Sequence, residues 1–451
     1  MVGATLSRWT MSYFAAALVA LLCAEGLMAL GYGFPAASIA APETLVVVHI
    51  VAIGWLSLLM CGALFQFVPV LVARPIYSNS LPLPTLICLV AGLGALLLGF
   101  LQLAGQVRQQ SAYFPAAAIL LGIGFALVLW NLGRTLWAAR PLPLSARFVA
   151  VGLFSIGATA AFGIIFALVI GGVTVNRHLI DVTSNGIPLH VIAGLGGWLT
   201  FTAMGVSYRL LAMFMLAPEL NGAATRGVFY SGAGALAVAV LGGTAAICAN
   251  AGLSLVLAAA GLLGLAAFAL YARDILHLYR ERRRRAIELN SRMAGMAIAN
   301  LAVSIILMVL LLGLGRFEQN VGALAFLVSF GWLSGLGLAK LYKVIAFLTW
   351  LECYGPVLGK MITPRVQDLV VEPRAVRWFA LYFIAVWCAG ASLLIDHPLA
   401  FRVAAGLMFV ATIGIVVQLV RIRLLNDVQS ALPLSGQIRR PRMLSAVVQH
   451  A

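Results

Sequence analysis

The chain has 451 residues, of which 63% are hydrophobic and only 9% are charged. A water-soluble globule carries about 25% charged residues, so the composition excludes a soluble protein and a soluble substrate domain. The chain has 29 lysine and arginine residues against 13 acidic residues. In a membrane protein such an excess is typical of cytoplasmic loops, so it predicts contact with membrane lipid rather than with nucleic acid.

Twelve apolar segments are each long enough to form a membrane-spanning helix, which needs about 20 apolar residues. We therefore predict an all-α membrane protein with twelve transmembrane helices, and a transmembrane domain over residues 1–424. The first segment is too long for the core of a signal peptide, so we expect a retained helix. Residues 425–451 are predicted to form a cytoplasmic tail. The predicted helices span residues 11–32, 44–70, 81–104, 115–138, 148–172, 187–214, 228–249, 252–272, 293–314, 321–349, 378–395 and 401–420.

The basic residues predict the orientation of these helices. With the N-terminus inside, 25 of the 29 lysine and arginine residues fall on the cytoplasmic side, and four fall outside. Lysine and arginine collect in cytoplasmic loops. We therefore expect a multi-pass protein of the cell inner membrane with both termini in the cytoplasm. The four outer residues are Arg108, Arg177, Arg316 and Arg402.

One four-residue motif occurs three times, in the second, sixth and tenth predicted helices. Each tryptophan is followed ten positions later by an aromatic residue. Copies that recur every four helices predict three four-helix repeats, about residues 1–140, 141–285 and 286–424, with pseudo-threefold symmetry. The copies are Gly54-Trp55-Leu56-Ser57, Gly197-Trp198-Leu199-Thr200 and Gly331-Trp332-Leu333-Ser334, and the aromatic residues are Phe65, Tyr208 and Tyr342.

Two of the six histidines, His49 and His190, fall inside predicted helices at a depth in the outer third of the membrane. Ionisable side chains at such depths are costly and are often functional. Imidazole is a ligand for heme iron and for copper, so both residues are candidate metal ligands. The alternative is a neutral histidine bonded to a nearby backbone or hydroxyl group. His49 and His190 precede the tryptophans of their own motif copies by different numbers of residues. The spacing therefore does not imply that they share one site.

Glu25 lies inside the first predicted helix and is the third candidate cofactor-binding residue. It is predicted either to pair with His49, which would orient the imidazole, or to be protonated and bonded to a carbonyl. Cys61 and Met204 each follow their tryptophan by six positions. They are soft donors suited to copper, but such residues are also ordinary core fillers. The pattern identifies no catalytic residue.

The twelve helices, the repeated motif and the histidines of the second and sixth helices resemble subunit I of the heme-copper oxidases. The resemblance implies that His49 ligates a low-spin heme and that His190 ligates a copper ion. The chain departs from that family because its seventh and tenth predicted helices contain no histidine. It is also similar in kind to the NnrS proteins, twelve-helix heme and copper proteins linked to nitric oxide tolerance, although their His-Glu signature is absent.

These resemblances imply a membrane protein that binds heme b and, secondarily, copper, with a donor protein or a quinol supplying electrons. We expect electron transfer, or the handling of nitric oxide or another gas. We expect no oxygen reduction, because most ligands of an oxygen-reducing centre are missing. The alternative is a transporter or metal-handling permease without redox catalysis, in which His49, His190, Glu25 and Met204 line a permeation site.

The charge distribution predicts the result of a topology experiment. Reporter domains fused after residues 286 and 445 should both report the cytoplasm, because both positions lie on the side that carries most of the basic residues. Activity of a periplasmic reporter at either position would contradict the orientation or the number of helices.

Overall fold

The computed structural model describes residues 8–360, 362–428 and 441–445, and these fold almost entirely into helices. Twelve helices within these ranges are long and apolar enough to span a membrane. The predicted all-α membrane fold and the predicted number of spans are therefore confirmed. The helices are α1 Thr10–Leu30, α2 Pro42–Val72, α3 Pro82–Leu103, α4 Tyr113–Ala138, α5 Leu144–Ile170, α6 Ile187–Met215, α7 Ala223–Cys248, α8 Ser254–Arg280, α9 Leu289–Gly313, α10 Phe317–Val357, α11 Glu372–Leu394 and α12 Pro398–Arg423.

Most helix ends lie within a few residues of the predicted ends. The clearest differences are the C-terminal ends of α8, at Arg280, and of α10, at Val357. Sequence patterns predicted these ends at residues 272 and 349, where the apolar run stops. A helix does not have to end where the apolar run ends. Its backbone hydrogen bonds form within the segment itself, so the helix can extend beyond the apolar layer. A short helix, Arg177–Asn185, also forms where a loop was predicted, and the Asn176 side chain caps its first turn.

The chain divides into two compact units. The first unit comprises Met1–Gly62 and Glu288–Ala451, and the second comprises Ala63–Ile287. In the first unit α1 packs against α12 and α2, α9 packs against α10, and α11 packs against α12. In the second unit α3 packs against α4, α4 and α6 pack against α5, and α7 packs against α8. The three four-helix repeats stay a prediction. Most of the predicted tail, residues 425–451, lies outside the described residues.

A buried ion pair joins α10 to the end of α12 in the first unit. The Arg423 guanidinium donates to the Glu352 carboxylate at 2.6 Å, and the two side chains are only 3% and 5% exposed. Arg423 also donates to the Thr349 hydroxyl and to the Arg442 carbonyl. The guanidinium therefore ties residues 441–445 to the transmembrane helices.

Asp427 continues this network just beyond α12. Arg421 donates to its carboxylate at 2.6 Å and Arg374 donates at 3.0 Å. These two hydrogen-bonded cations hold the pKa of Asp427 below its usual range. The carboxylate is therefore ionised at neutral pH and links the start of α11 to the end of α12.

Close packing of α12 against its neighbours depends on one glycine. A Cβ atom at Gly414 would overlap the indole ring of Trp378 on α11. At Gly406, two turns earlier on the same helix, a Cβ atom would lie 3.9 Å from the Ala29 side chain, which is ordinary contact. Glycine lets helices approach closely in lipid, where van der Waals packing drives helix association.

Gly414→Ala should therefore destabilise the protein, while Gly406→Ala on the same helix serves as the matched control. Overpacking of this kind costs about 1–3 kcal/mol, because the rings and the backbone have to shift. Thermal unfolding of the detergent-purified variants, followed by loss of the monodisperse chromatographic peak, measures the difference. Equal midpoints for the two variants would show that α11 and α12 do not pack this closely.

Candidate functional site

All three copies of the tryptophan motif lie in π-helical segments. These segments are Ile50–Ser57 in α2, Ile192–Phe201 in α6 and Leu327–Ser334 in α10. A further π-helical segment, Val238–Gly242, lies in α7. The π-helix is rare and is found mostly as single turns inside α-helices, frequently at functional sites. Its recurrence at the repeated motif makes these segments the candidate functional site.

The serine of the motif bonds within the widened turn. The Ser57 hydroxyl donates to the Ala52 carbonyl at 2.7 Å, and the Ser334 hydroxyl donates to the Ser329 carbonyl at 2.7 Å. In both cases the acceptor lies five residues earlier, which is the spacing of a π-helical turn. The two copies therefore share an atomic feature as well as a sequence. The sequence pattern indicated the repeat but not the π-helical geometry.

The three motif tryptophans are almost completely buried, with at most 1% of each residue exposed. The Trp55 indole Nε1 donates to the Ser334 hydroxyl at 2.8 Å, within the first unit. A buried indole N–H normally has a hydrogen-bond partner. Here the hydroxyl of another copy of the motif provides it. This bond joins the π-helical segments of α2 and α10.

His49 immediately precedes the π-helical segment of α2 and is half-buried. Its Nδ1 lies 2.8 Å from the Leu45 carbonyl, one turn earlier. A carbonyl oxygen can only accept, so Nδ1 carries a hydrogen, and in the neutral ring Nε2 carries the lone pair. This is the tautomer of a histidine that ligates a metal through Nε2, since ligating imidazoles usually donate their other N–H to a carbonyl or carboxylate.

His190 lies two residues before the π-helical segment of α6, in the second unit, and is also half-buried. Its Nδ1 lies 3.1 Å from the Thr159 carbonyl on α5. Its ring packs against Phe166, with ring centroids 5.4 Å apart. The ring therefore has the same tautomer as His49 but bonds to a neighbouring helix rather than to its own. His49 and His190 belong to different compact units.

The other described histidines have exposed positions. His277 lies in the last turn of α8, and the His397 side chain caps the start of α12 by accepting from the Ala400 amide. His178 lies in the short helix Arg177–Asn185 and not in a loop as predicted, because Asn176 supplies its cap. His450 lies outside the described residues.

Glu25 is completely buried in α1. Its Oε1 accepts from the Thr412 hydroxyl of α12 at 3.0 Å, and its Oε2 has no hydrogen-bond partner among the described residues. Glu25 and His49 therefore have different partners, and the His49 ring is oriented by the Leu45 carbonyl. A role of Glu25 towards a bound cofactor stays a prediction.

The sequence analysis missed another buried acid, Asp274 of α8. Its carboxylate accepts from the Tyr208 hydroxyl at 3.0 Å and from the Thr225 hydroxyl at 2.8 Å. Tyr208 is the aromatic residue that follows the second copy of the motif. The sequence pattern did not indicate it, because Asp274 follows Arg273 beyond the end of the apolar run at residue 272. Cys61 and Met204, the predicted soft donors, are buried side chains with 0% and 6% exposure.

No group of three or more His, Cys, Asp or Glu side chains that could hold a metal ion occurs in the described part of the chain. An apolar groove of about 250 Å³ lies between α9, α10 and α11 of the first unit, where Ile306, Leu327 and Trp387 line it. Neither His49 nor His190 lines this groove. The described residues therefore bring together no multi-histidine metal centre.

No protein-family model matches the chain, and no curated protein sequence matches it.

The bond between Trp55 and Ser334 can be tested by a double-mutant cycle. Trp55→Phe and Ser334→Ala should each lower thermal stability, and the two losses should not add, because either change removes the same bond. Hydrogen bonds between transmembrane helices are worth about 0.6 kcal/mol on average and up to about 1.7 kcal/mol, so a coupling in this range is expected. Trp387→Phe, at a partly exposed tryptophan of the same unit, is the control, and it should show no coupling to Ser334→Ala. Additive losses for Trp55 and Ser334 would contradict the assignment.

Proposed function

We propose that the chain is a heme-binding protein of the cell inner membrane, built from three four-helix repeats with both termini in the cytoplasm. The recurrence of the π-helical motif in α2, α6 and α10 supports the repeats, because these helices are spaced by four. The distribution of lysine and arginine supports the orientation. The proposed role is electron transfer, or the handling of nitric oxide or another gas, without oxygen reduction.

The hydrogen bond from His49 Nδ1 to the Leu45 carbonyl carries this proposal. In a neutral ring it selects the tautomer in which Nε2 has the lone pair, and it restrains the ring at the start of a π-helical segment. Both features suit an axial ligand of heme iron. His190 has the corresponding bond to the Thr159 carbonyl and is the second candidate.

The proposed heme has one axial imidazole, that of His49. Within the first unit the other described histidine is His397, which is exposed and bonded to the Ala400 amide. A bound heme would supply a one-electron centre and, with one protein ligand, an open position for a diatomic gas. Copper fits less well, because the described residues provide no group of three ligands around His190.

A permease without redox chemistry is the second candidate function. The observation that favours it is the buried Glu25 carboxyl, since acids inside transmembrane bundles often belong to ion or proton pathways. An absorption spectrum of the detergent-purified protein separates the two functions. A Soret band that shifts on reduction supports the heme protein, and its absence from protein expressed with sufficient heme supports the permease.

Substitution of His49 tests the ligand. His49→Ala should abolish or convert the heme spectrum while the protein still inserts, because the iron loses its axial imidazole. His178→Ala is the matched control and should leave the spectrum unchanged, since His178 is exposed on the short helix between α5 and α6. An unchanged spectrum in His49→Ala would assign the ligand elsewhere.

A further inference from the structure

The Glu25 carboxyl is held at one oxygen only. Thr412 donates to Oε1 from a position roughly 20 Å of helix rise along α12 from its start at Pro398. Beside Glu25, Gly26 packs against the Phe409 ring of the same helix. The acid is therefore enclosed between α1 and α12 within the apolar layer, and in the part of the chain that the structure describes its second oxygen, Oε2, has no hydrogen-bond partner.

No cation neutralises this carboxyl among the described residues. On α12, the Arg402 guanidinium donates to the Ala29 carbonyl at 3.4 Å and forms no ion pair with Glu25. On α2, the His49 Nδ1 bonds to the Leu45 carbonyl. On α11, the phenol of Tyr382 lies within electrostatic range of Glu25 and carries no positive charge. The charged and titratable groups around Glu25 therefore offer no counter-ion.

An ionised carboxylate at this position would be a buried charge stabilised by one hydroxyl. A charged side chain at the centre of a membrane costs about 2.5–3.5 kcal/mol on insertion scales, and pairing with a cation is the usual compensation. The neutral acid avoids this cost. Its O–H then lies on Oε2, the oxygen that accepts no bond, since Oε1 accepts from Thr412.

We propose that Glu25 is a membrane-embedded proton-binding site. Binding takes one proton from water and forms one O–H bond at the carboxyl, with no oxidation or reduction. None of the residues involved is a proposed iron ligand, so the site does not depend on heme.

Tyr382 also contacts the candidate functional site. Its hydroxyl donates to the Phe330 carbonyl at 3.0 Å, inside the π-helical segment of α10. Ser334, at the end of that segment, accepts from Trp55 of α2. Tyr382 therefore lies within electrostatic range of Glu25 and also bonds to a π-helical segment.

Infrared spectroscopy of the full-length protein tests the site. At neutral pH the wild type should show the C=O stretching band of a protonated carboxylic acid, and Glu25→Gln should lose it. Asp274→Asn is the matched control, a buried acid in the other unit, and should keep the Glu25 band. In D2O the band should shift to the deuterated position without unfolding. An absent band, a band retained in Glu25→Gln, or a band that never shifts in D2O would each overturn the proposal.

Chemical labelling gives a second measurement that does not need a folded variant. Dicyclohexylcarbodiimide, an apolar reagent, forms a stable N-acylurea with protonated carboxyls in membranes. The wild type should be labelled on the peptide that contains Glu25 and not on the peptide that contains Glu43, an acid in the first turn of α2. Labelling of Glu43 alone, or of neither peptide, would show that Glu25 is not an exchangeable acid.

Discussion

The absence of water from the bilayer interior is the constraint on which the rest of this structure depends. Every backbone N–H and C=O group within the apolar layer needs a partner inside the protein, and helices provide it locally. Twelve helices satisfy this demand for most of the described chain. The positions that depart from α-helical geometry are therefore few, and they concentrate at the repeated tryptophan motif. There, the hydroxyls of Ser57, Ser334 and Tyr382 bond to carbonyls of the widened turns.

The same constraint applies to each polar side chain in the interior, which also needs a hydrogen-bond partner inside the protein. His49 and His190 both meet it by donating from Nδ1 to a backbone carbonyl, and this leaves Nε2 as the nitrogen with coordinating character. Asp274 meets it by accepting from two hydroxyls. Glu25 meets it at one oxygen only. The unpaired Oε2 is a cost to the protein, which is a reason to look for function there.

Charged side chains at the ends of the helices are less constrained, because they can reach water or lipid headgroups there. Arg423 and Glu352 form a buried pair at such an end, and Asp427 bonds to two arginines beyond it. A buried pair is weak evidence of stability, but removal of one partner leaves a costly charge behind. We interpret this network as a means of fixing the position of the segment after α12 rather than as a main source of folding energy.

The sequence by itself determined the features that are local. The number of spans follows from the length of each apolar run, and the location of the motif follows from its recurrence in the second, sixth and tenth helices. The candidate residues His49, His190 and Glu25 could be found because an ionisable side chain in an apolar run stands out without any knowledge of its neighbours. Asp274 could not be found in this way, because it lies beyond the apolar run that ends at residue 272, next to Arg273.

Only the tertiary structure decided the partners of the buried polar atoms. Trp55 bonds to a serine 279 positions away, and Glu25 bonds to a threonine 387 positions away. The sequence predicted His49 as one of two partners for Glu25, because adjacent helices usually pack together. Helix α12 supplies the hydroxyl instead, since α1 packs against it as well as against α2. Hydropathy is a property of a segment, whereas the partner of a buried atom depends on which helix lies beside it.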